Sequence, residues 1–455
     1  YASSQQRQGF TFEAGPMALI DPASFDDLWQ LAGRRMADDV ELLPISPAVR
    51  FNWPDGATFD YFGDSTAMLH ELARTMPEEV AGYDEYARYC ALVLKDGMLP
   101  LGNLPQMDLS VTLRAIPKAI RNQAWRSLYS IVSSDIKNEH LREALTANML
   151  TIGANPMTTT SLYALRHAIK QQGGIWWPKG GFGKLSAAMA ALFEELGGTL
   201  RLKDPVLHIH TLGDRASEVE CVSGWRERFD AVASNADVVH SYRDLLSGTQ
   251  RGSEMSRSLS RKRWAPSMFV VHFGVEGGWP GIPHRTVLFG NRYKALLTDV
   301  FEHGVLPRDF ILFLDHPSVT DDAMAPEGKS TFRAMIPVAN QGKLPIDWDQ
   351  TGPLIEQRIL EEVGRRLIPD LDDRILIKSH YAPRDFALDM NAYNGSPYGL
   401  EPILSQSGLF RPHNRDGKLK NVYFVGAGTH PGAGLPAVLL SARATAQVME
   451  EDSRK

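Results

Sequence analysis

The sequence predicts an α/β (α+β) architecture: a discontinuous Rossmann-like domain, a second domain on a mixed sheet, and a separate helical segment. Three observations lead there. Asn421 to Met449 reads as an apolar strand, a glycine turn and an unbroken helix. Residues 179–237 run glycine turn, helix, strand, β-ribbon, and a strand ending at Asn235-Ala236-Asp237. Between these stretches, residues 262–385 carry four strand-like runs and one long helical pattern.

Bulk properties set the bounds. The chain has 455 residues, 43% hydrophobic and 22% charged, with net charge -6, an ordinary globular composition long enough for more than one domain. The negative balance argues against nucleic acid as the main partner. Cys90 and Cys221 offer no CxxC and no disulfide framework, which favours a reducing, cytoplasmic setting. No apolar run reaches the ~18 to 20 residues that a spanning helix needs.

Taken in order, Gly9 to Pro16 is a short strand ending in a Gly15-Pro16 turn, and Asp21-Pro22 starts a helix carrying Phe25, Leu28 and Trp29. Leu42 to Phe62 reads as a hairpin broken at Pro54-Asp55-Gly56. Ser65 to Lys95 is helical, with Leu69, Leu72, Met76, Tyr83, Tyr86 and Leu92 as candidate core positions. From Leu109 to Ser134 every charged residue before Ser134 is basic, Arg114, Lys118, Arg121 and Arg126, among Leu113, Ile116, Ile120 and Trp125. Such a segment fits a surface helix pair bent at Pro117, and it also fits a membrane interface if the substrate is membrane-borne. Expected strands follow at 268–275, 310–314, 332–338 and 374–381, with a helix at 353–367.

Val422 to Val425 has the apolar, β-branched and aromatic character of a buried parallel strand. Gly426, Gly428, Gly432 and Gly434 then remove side chains where backbone turns sharply or approaches a ligand. Pro436 suits the first helical turn, and the helix aims its positive end at whatever lies over the glycines. That arrangement suits an anionic or electron-accepting ligand.

The stretch Gly426-Ala427-Gly428-Thr429-His430-Pro431-Gly432-Ala433-Gly434-Leu435-Pro436 resembles the C-terminal flavin-binding signature of the bacterial-type phytoene desaturases, within the amine-oxidase-like FAD superfamily. Ser234 to Asp237 and Arg411 to Asp416 are further points of resemblance, which spans Phe10 to Met449. It implies FAD as cofactor, held by Gly15, Pro16, Val206, Asn235, Ala236, Asp237, Gly426, Ala427, Gly428, Thr429, Gly432, Gly434, Leu435 and Pro436. It also implies desaturation of phytoene, an apolar carotenoid, by an enzyme docked peripherally on the membrane surface. An oligomer is compatible with this reading. On the same resemblance the FAD-binding domain comprises 1–35, 175–250 and 395–455. The substrate-binding domain comprises 36–108 and 251–394, and 109–174 is a helical docking region. The family begins with a strand–G-x-G-x-x-G–helix unit that these residues lack, so the expectation is a piece of a longer protein.

A flavin accepts the hydride itself, so few catalytic side chains are required. His430 inside the turn is the candidate catalytic histidine, though a hydrogen-bonded turn residue explains it equally. Arg114 is a candidate for steadying charge at the site's mouth or binding lipid phosphate, and a solvated arginine is the simpler reading. Glu401 and the run from Arg411 to Arg415 receive no chemical step. No HExxH, zinc spacing or G-x-S-x-G occurs, so metal and serine-nucleophile chemistry are disfavoured. Alternatives are a desaturase or isomerase acting on another carotenoid, or a cofactor-less carotenoid carrier.

Overall fold

The computed structural model describes residues 2–98 and 109–454. Hairpin β1 (Ser4–Arg7) and β2 (Phe10–Glu13) precedes α1 (Pro22–Leu31), which Asp21 caps by accepting from Ser24 N while Phe25 and Trp29 are buried one turn apart. Next come β3 (Leu42–Pro44) and the hairpin β4 (Val49–Asn52) and β5 (Thr58–Tyr61), turning at Pro54 to Gly56 as expected. Helices α2 (Ser65–Thr75) and α3 (Val80–Val93) bury Leu72, Met76, Tyr83 and Tyr86. Leu69 and Leu92 are instead exposed, because each lies on the outward side of its helix.

The expected boundary at 108 lies outside the described residues. Beyond it, α4 (Leu109–Arg121), α5 (Leu128–Asp135), α6 (Glu139–Ala147) and α7 (Leu165–Gly173) form the helical segment. None of the described side chains of α4 joins the main hydrophobic cluster, and Arg121 at its end pairs with Asp96. Leu128, Ile131, Leu141, Ala144 and Ile169 of the later helices join the main hydrophobic cluster with Tyr83 and Tyr86.

β6 (Trp176–Pro178) leads into α8 (Phe182–Glu195), then the ribbon β7 (Val206–Leu212), β8 (Arg215–Cys221) and β9 (Arg226–Arg228), then β10 (Val232–Ser234) and α9 (Gln250–Ser260). A seven-stranded mixed sheet is completed by β11 (Ser267–Glu276), β12 (Arg285–Leu288), β13 (Leu312–Asp315), β14 (Lys329–Val338) and β15 (Ile375–Tyr381), ordered β15-β11-β14-β13-β12-β4-β5. Two distant chain stretches therefore share one sheet. Its other pairings are antiparallel, and β12 runs parallel to β4. Helix α10 (Trp348–Arg366) covers one face, burying Ile355, Ile359 and Val363 against Phe269, Val271 and Phe332. The last elements are β16 (Val422–Phe424), parallel to β10, and α11 (Leu435–Ser453).

Candidate active site

β10 and β16 pair in register from Val232 with Val422 to Ser234 with Phe424, so both strands end at one level. Asn235 to Asp237 and Gly426 to Gly428 are thus adjacent. Val425 N donates to Ser234 O at 3.0 Å, and Asn235 Nδ2 donates to Val425 O at 2.9 Å. Gly426, at φ +103°, has no room for a Cβ because the Asn235 amide occupies that place. Asp237 accepts from Val239 N and His240 N, and burial pushes its carboxyl up against these bonds.

The glycine turn is held from behind by Arg411 to Asp416. Arg411, 2% exposed, donates Nε to Thr429 O at 2.9 Å and Nη2 to Ala427 O at 2.8 Å. Fully buried Asn414 points its Nδ2 at His430 O (3.2 Å), Ser441 Oγ (3.1 Å), Thr445 Oγ1 (3.1 Å) and Phe424 O (3.3 Å). Pro412 O accepts from His430 N at 2.9 Å, and Ser441 Oγ accepts from Gly426 N at 3.0 Å. The run that gave no chemical step in the sequence therefore has a positioning role.

This arrangement has a directional result. The carbonyls of Ala427, Thr429 and His430 are engaged, whereas the amides of Gly432, Ala433, Gly434 and Leu435 find no acceptor among the described residues. Four free donors at the start of a 19-residue helix form a site for an anionic or acceptor-rich group. The cofactor expected from the sequence fits it.

Other predicted residues are farther along the same scaffold. Gly15 O accepts from Arg333 Nη1, which fixes the Gly15-Pro16 turn to β14. Arg333 and Arg285 both bind Asp315, at 2.9 and 2.6 Å. Burial opposes ionisation of Asp315, and the two guanidiniums together overcome it and hold the carboxyl below its usual range. Val206 opens β7, partly exposed, on a ribbon anchored to β16 by Asn421, which donates to Ala216 O and Asp230 O.

His430 is 6% exposed and its backbone is pinned on both sides. Arg114 is exposed on α4 and makes no hydrogen bond or ion pair to the turn among the described residues.

The glycine turn at 180–183 is already filled from within. Gly180 N donates to Asp321 at 2.6 Å, Gly183 N donates to Ser4 Oγ at 3.0 Å, and the Glu13 carboxylate occupies the space of a Gly181 Cβ. Burial pushes Glu13 up to about 7, with Ser4 and Arg333 opposing. No carboxylate is visible there in the sequence. Sequence reasoning also passed over Ser441 and Thr445, whose signal was a polar pair one turn apart on the otherwise apolar buried face of the last helix.

An α/β scaffold with a donor-lined glycine turn between parallel strand and helix defines a dinucleotide-cofactor protein. The chain belongs to the flavin-containing amine oxidoreductase family, whose sequence pattern matches residues 2–449, and its cofactor is FAD. It is 44% identical to the phytoene desaturase (lycopene-forming) of a Paracoccus species, over 98% of this chain and 89% of that protein. It is 43% identical to the lycopene-forming enzyme of Pantoea ananas, covering 98% and 90%. With the neurosporene-forming phytoene desaturase of Cereibacter sphaeroides the identity is 35%, covering 99% and 88%. Solved structures show the same fold at lower identity. An oxidoreductase from Methanosarcina mazei superposes with TM-score 0.61 at 13% identity, covering 98% of this chain and 90% of that one. A putrescine oxidase variant redesigned in cofactor binding gives 0.59 at 13%, covering 99% and 89%.

Proposed function

We propose that the chain desaturates phytoene to more conjugated carotenoids of the neurosporene or lycopene type, with FAD as acceptor. The observation that carries this reading is the donor-lined turn 426–434, held in a chain that is 44% identical to a lycopene-forming phytoene desaturase. FAD bound there supplies the two-electron acceptor for a hydride. The protein's part is to fix the turn through Arg411 and Asn414, hold the polyene, exclude water and receive a proton, for which His430 is assigned.

The substrate is apolar, and α4 is assigned as the face that meets its membrane. Leu113, Ile116 and Ile120 are 57%, 44% and 58% exposed there, and Trp125 just beyond is 62% exposed, interleaved with Arg114 and Lys118. An amphipathic basic face of this kind lies flat in a lipid interface. No helix among the described residues is long and apolar enough to cross a membrane.

The test incubates the protein with FAD and phytoene-loaded liposomes and separates the pigments by chromatography. It is run on the chain alone and on the chain joined to a family-type first nucleotide-binding unit. Coloured product in either form supports the reading. Retained FAD without colour removes phytoene as substrate, and no FAD in either form removes the cofactor assignment.

A further inference from the structure

Two guanidiniums approach the glycine turn, and neither pairs with a carboxylate among the described residues. Arg166 of α7 places Nη1 2.7 Å from where a Gly434 Cβ would stand, and Arg411 places Cζ 3.3 Å from the corresponding point on Gly432. Both glycines have positive φ, +105° and +139°, so any side chain there would be strained as well as obstructive. The glycines thus admit arginines as well as bending the chain.

Arg411 spends Nε and Nη2 on turn carbonyls, and its buried Nη1 has no partner among the described residues. Half-buried Arg166 makes no hydrogen bond or ion pair among the described residues. One turn further along α7, Lys170 also pairs with no carboxylate among the described residues. Burial first, then Arg166 and Arg285, lower it to about 7. Burying cations without an anion is costly, and a ligand carrying negative charge relieves that cost. The unfilled amides of Gly432 to Leu435 face the same demand.

We propose that Arg166 is the charge partner of the bound flavin ring, neutralising negative charge on it over the turn, and that Arg411 is the positioning residue that keeps the turn's amides free for it. The inference rests on the FAD reading above and goes beyond it by naming the cation. It does not depend on which polyene is the substrate.

The experiment compares R166M and R166K with the unaltered protein in three measurements. The first is thermal melting without FAD, and the second is FAD affinity by flavin fluorescence. The third is sulfite titration of the oxidised holoprotein: the sulfite lone pair forms a bond to a ring nitrogen, and negative charge passes into the ring. R166M is expected to melt at or above the unaltered protein without FAD, since a half-buried charge with no anion beside it among the described residues has gone. It should bind sulfite about tenfold more weakly, with R166K recovering much of the loss.

Lower melting of R166M together with sulfite affinity within about twofold of the unaltered protein would overturn the proposal, marking Arg166 as structural. If no form takes up FAD, this inference falls with the cofactor assignment. If FAD binds and R166M loses its sulfite response while phytoene stays colourless, the inference stands and only the substrate reading is lost.

Discussion

Replacing Asn414 tests whether the turn is held from behind. One side-chain amide carries two hydrogens, so Asn414 serves about two of its four nearest acceptors at a time, the Oγ atoms of Ser441 and Thr445 at 3.1 Å and His430 O at 3.2 Å being nearest. Asn414→Leu keeps the branched heavy-atom outline and removes both donors. Ser441 Oγ keeps the Gly426 amide and Phe424 O keeps the Thr445 hydroxyl, so the loss is that of about two hydrogen bonds at about 0.5–1.5 kcal/mol each, and N414L is expected to lose roughly 1–3 kcal/mol of unfolding free energy. Urea denaturation followed by tryptophan fluorescence reads this, and FAD titration of the folded variant should show weaker binding because the turn is no longer pinned.

Asn414→Asp separates donation from shape. An ionised carboxylate facing those oxygens cannot donate, so its folded pKa lies above the ordinary value near ~3.9. A raised folded pKa gives stability that is full in acid and lost as pH rises, so N414D should be least stable near neutrality. An N414L protein within about 0.5 kcal/mol of the unaltered chain, with equal FAD affinity, would refute the reasoning.

Glu13→Gln should flatten the pH dependence of stability. With Glu13 raised from 4.5 to about 7, its contribution is full below pH 4.5 and lost as pH rises through 7. At pH 8 the variant should therefore gain up to about 3 kcal/mol relative to the unaltered protein, and at pH 4 it should gain nothing, as denaturation at the two pH values would show. Asp315→Asn leaves Arg285 and Arg333 without their shared anion and should cost roughly 3–5 kcal/mol by the same assay. Ile116→Asp with Ile120→Asp, on the exposed face of α4, should reduce cosedimentation with anionic liposomes by about tenfold or more while leaving the melting temperature unchanged. Unchanged cosedimentation would remove α4 as the docking face.

Much of the scaffold was legible because its signals are local. Asp21-Pro22, the break at Pro54 to Gly56, and the apolar run before Gly426 each specify their own conformation through caps, turn residues and strand patterning. The candidate core positions fared unevenly for a related reason. Leu69 and Leu72 lie on one helix, and only packing against the rest of the protein selects which is buried.

The sequence by itself determined the glycine turn, its strand and helix, and hence an acceptor-binding site, because backbone freedom and helix-end polarity depend on a few consecutive residues. The tertiary structure decided what surrounds that turn. Arg166 lies 268 positions before Gly434, Glu13 fills a turn at Gly181, and Arg333 reaches back to Gly15. Charges so far apart in the chain are placed against one another only by folding, and burial then sets their energies.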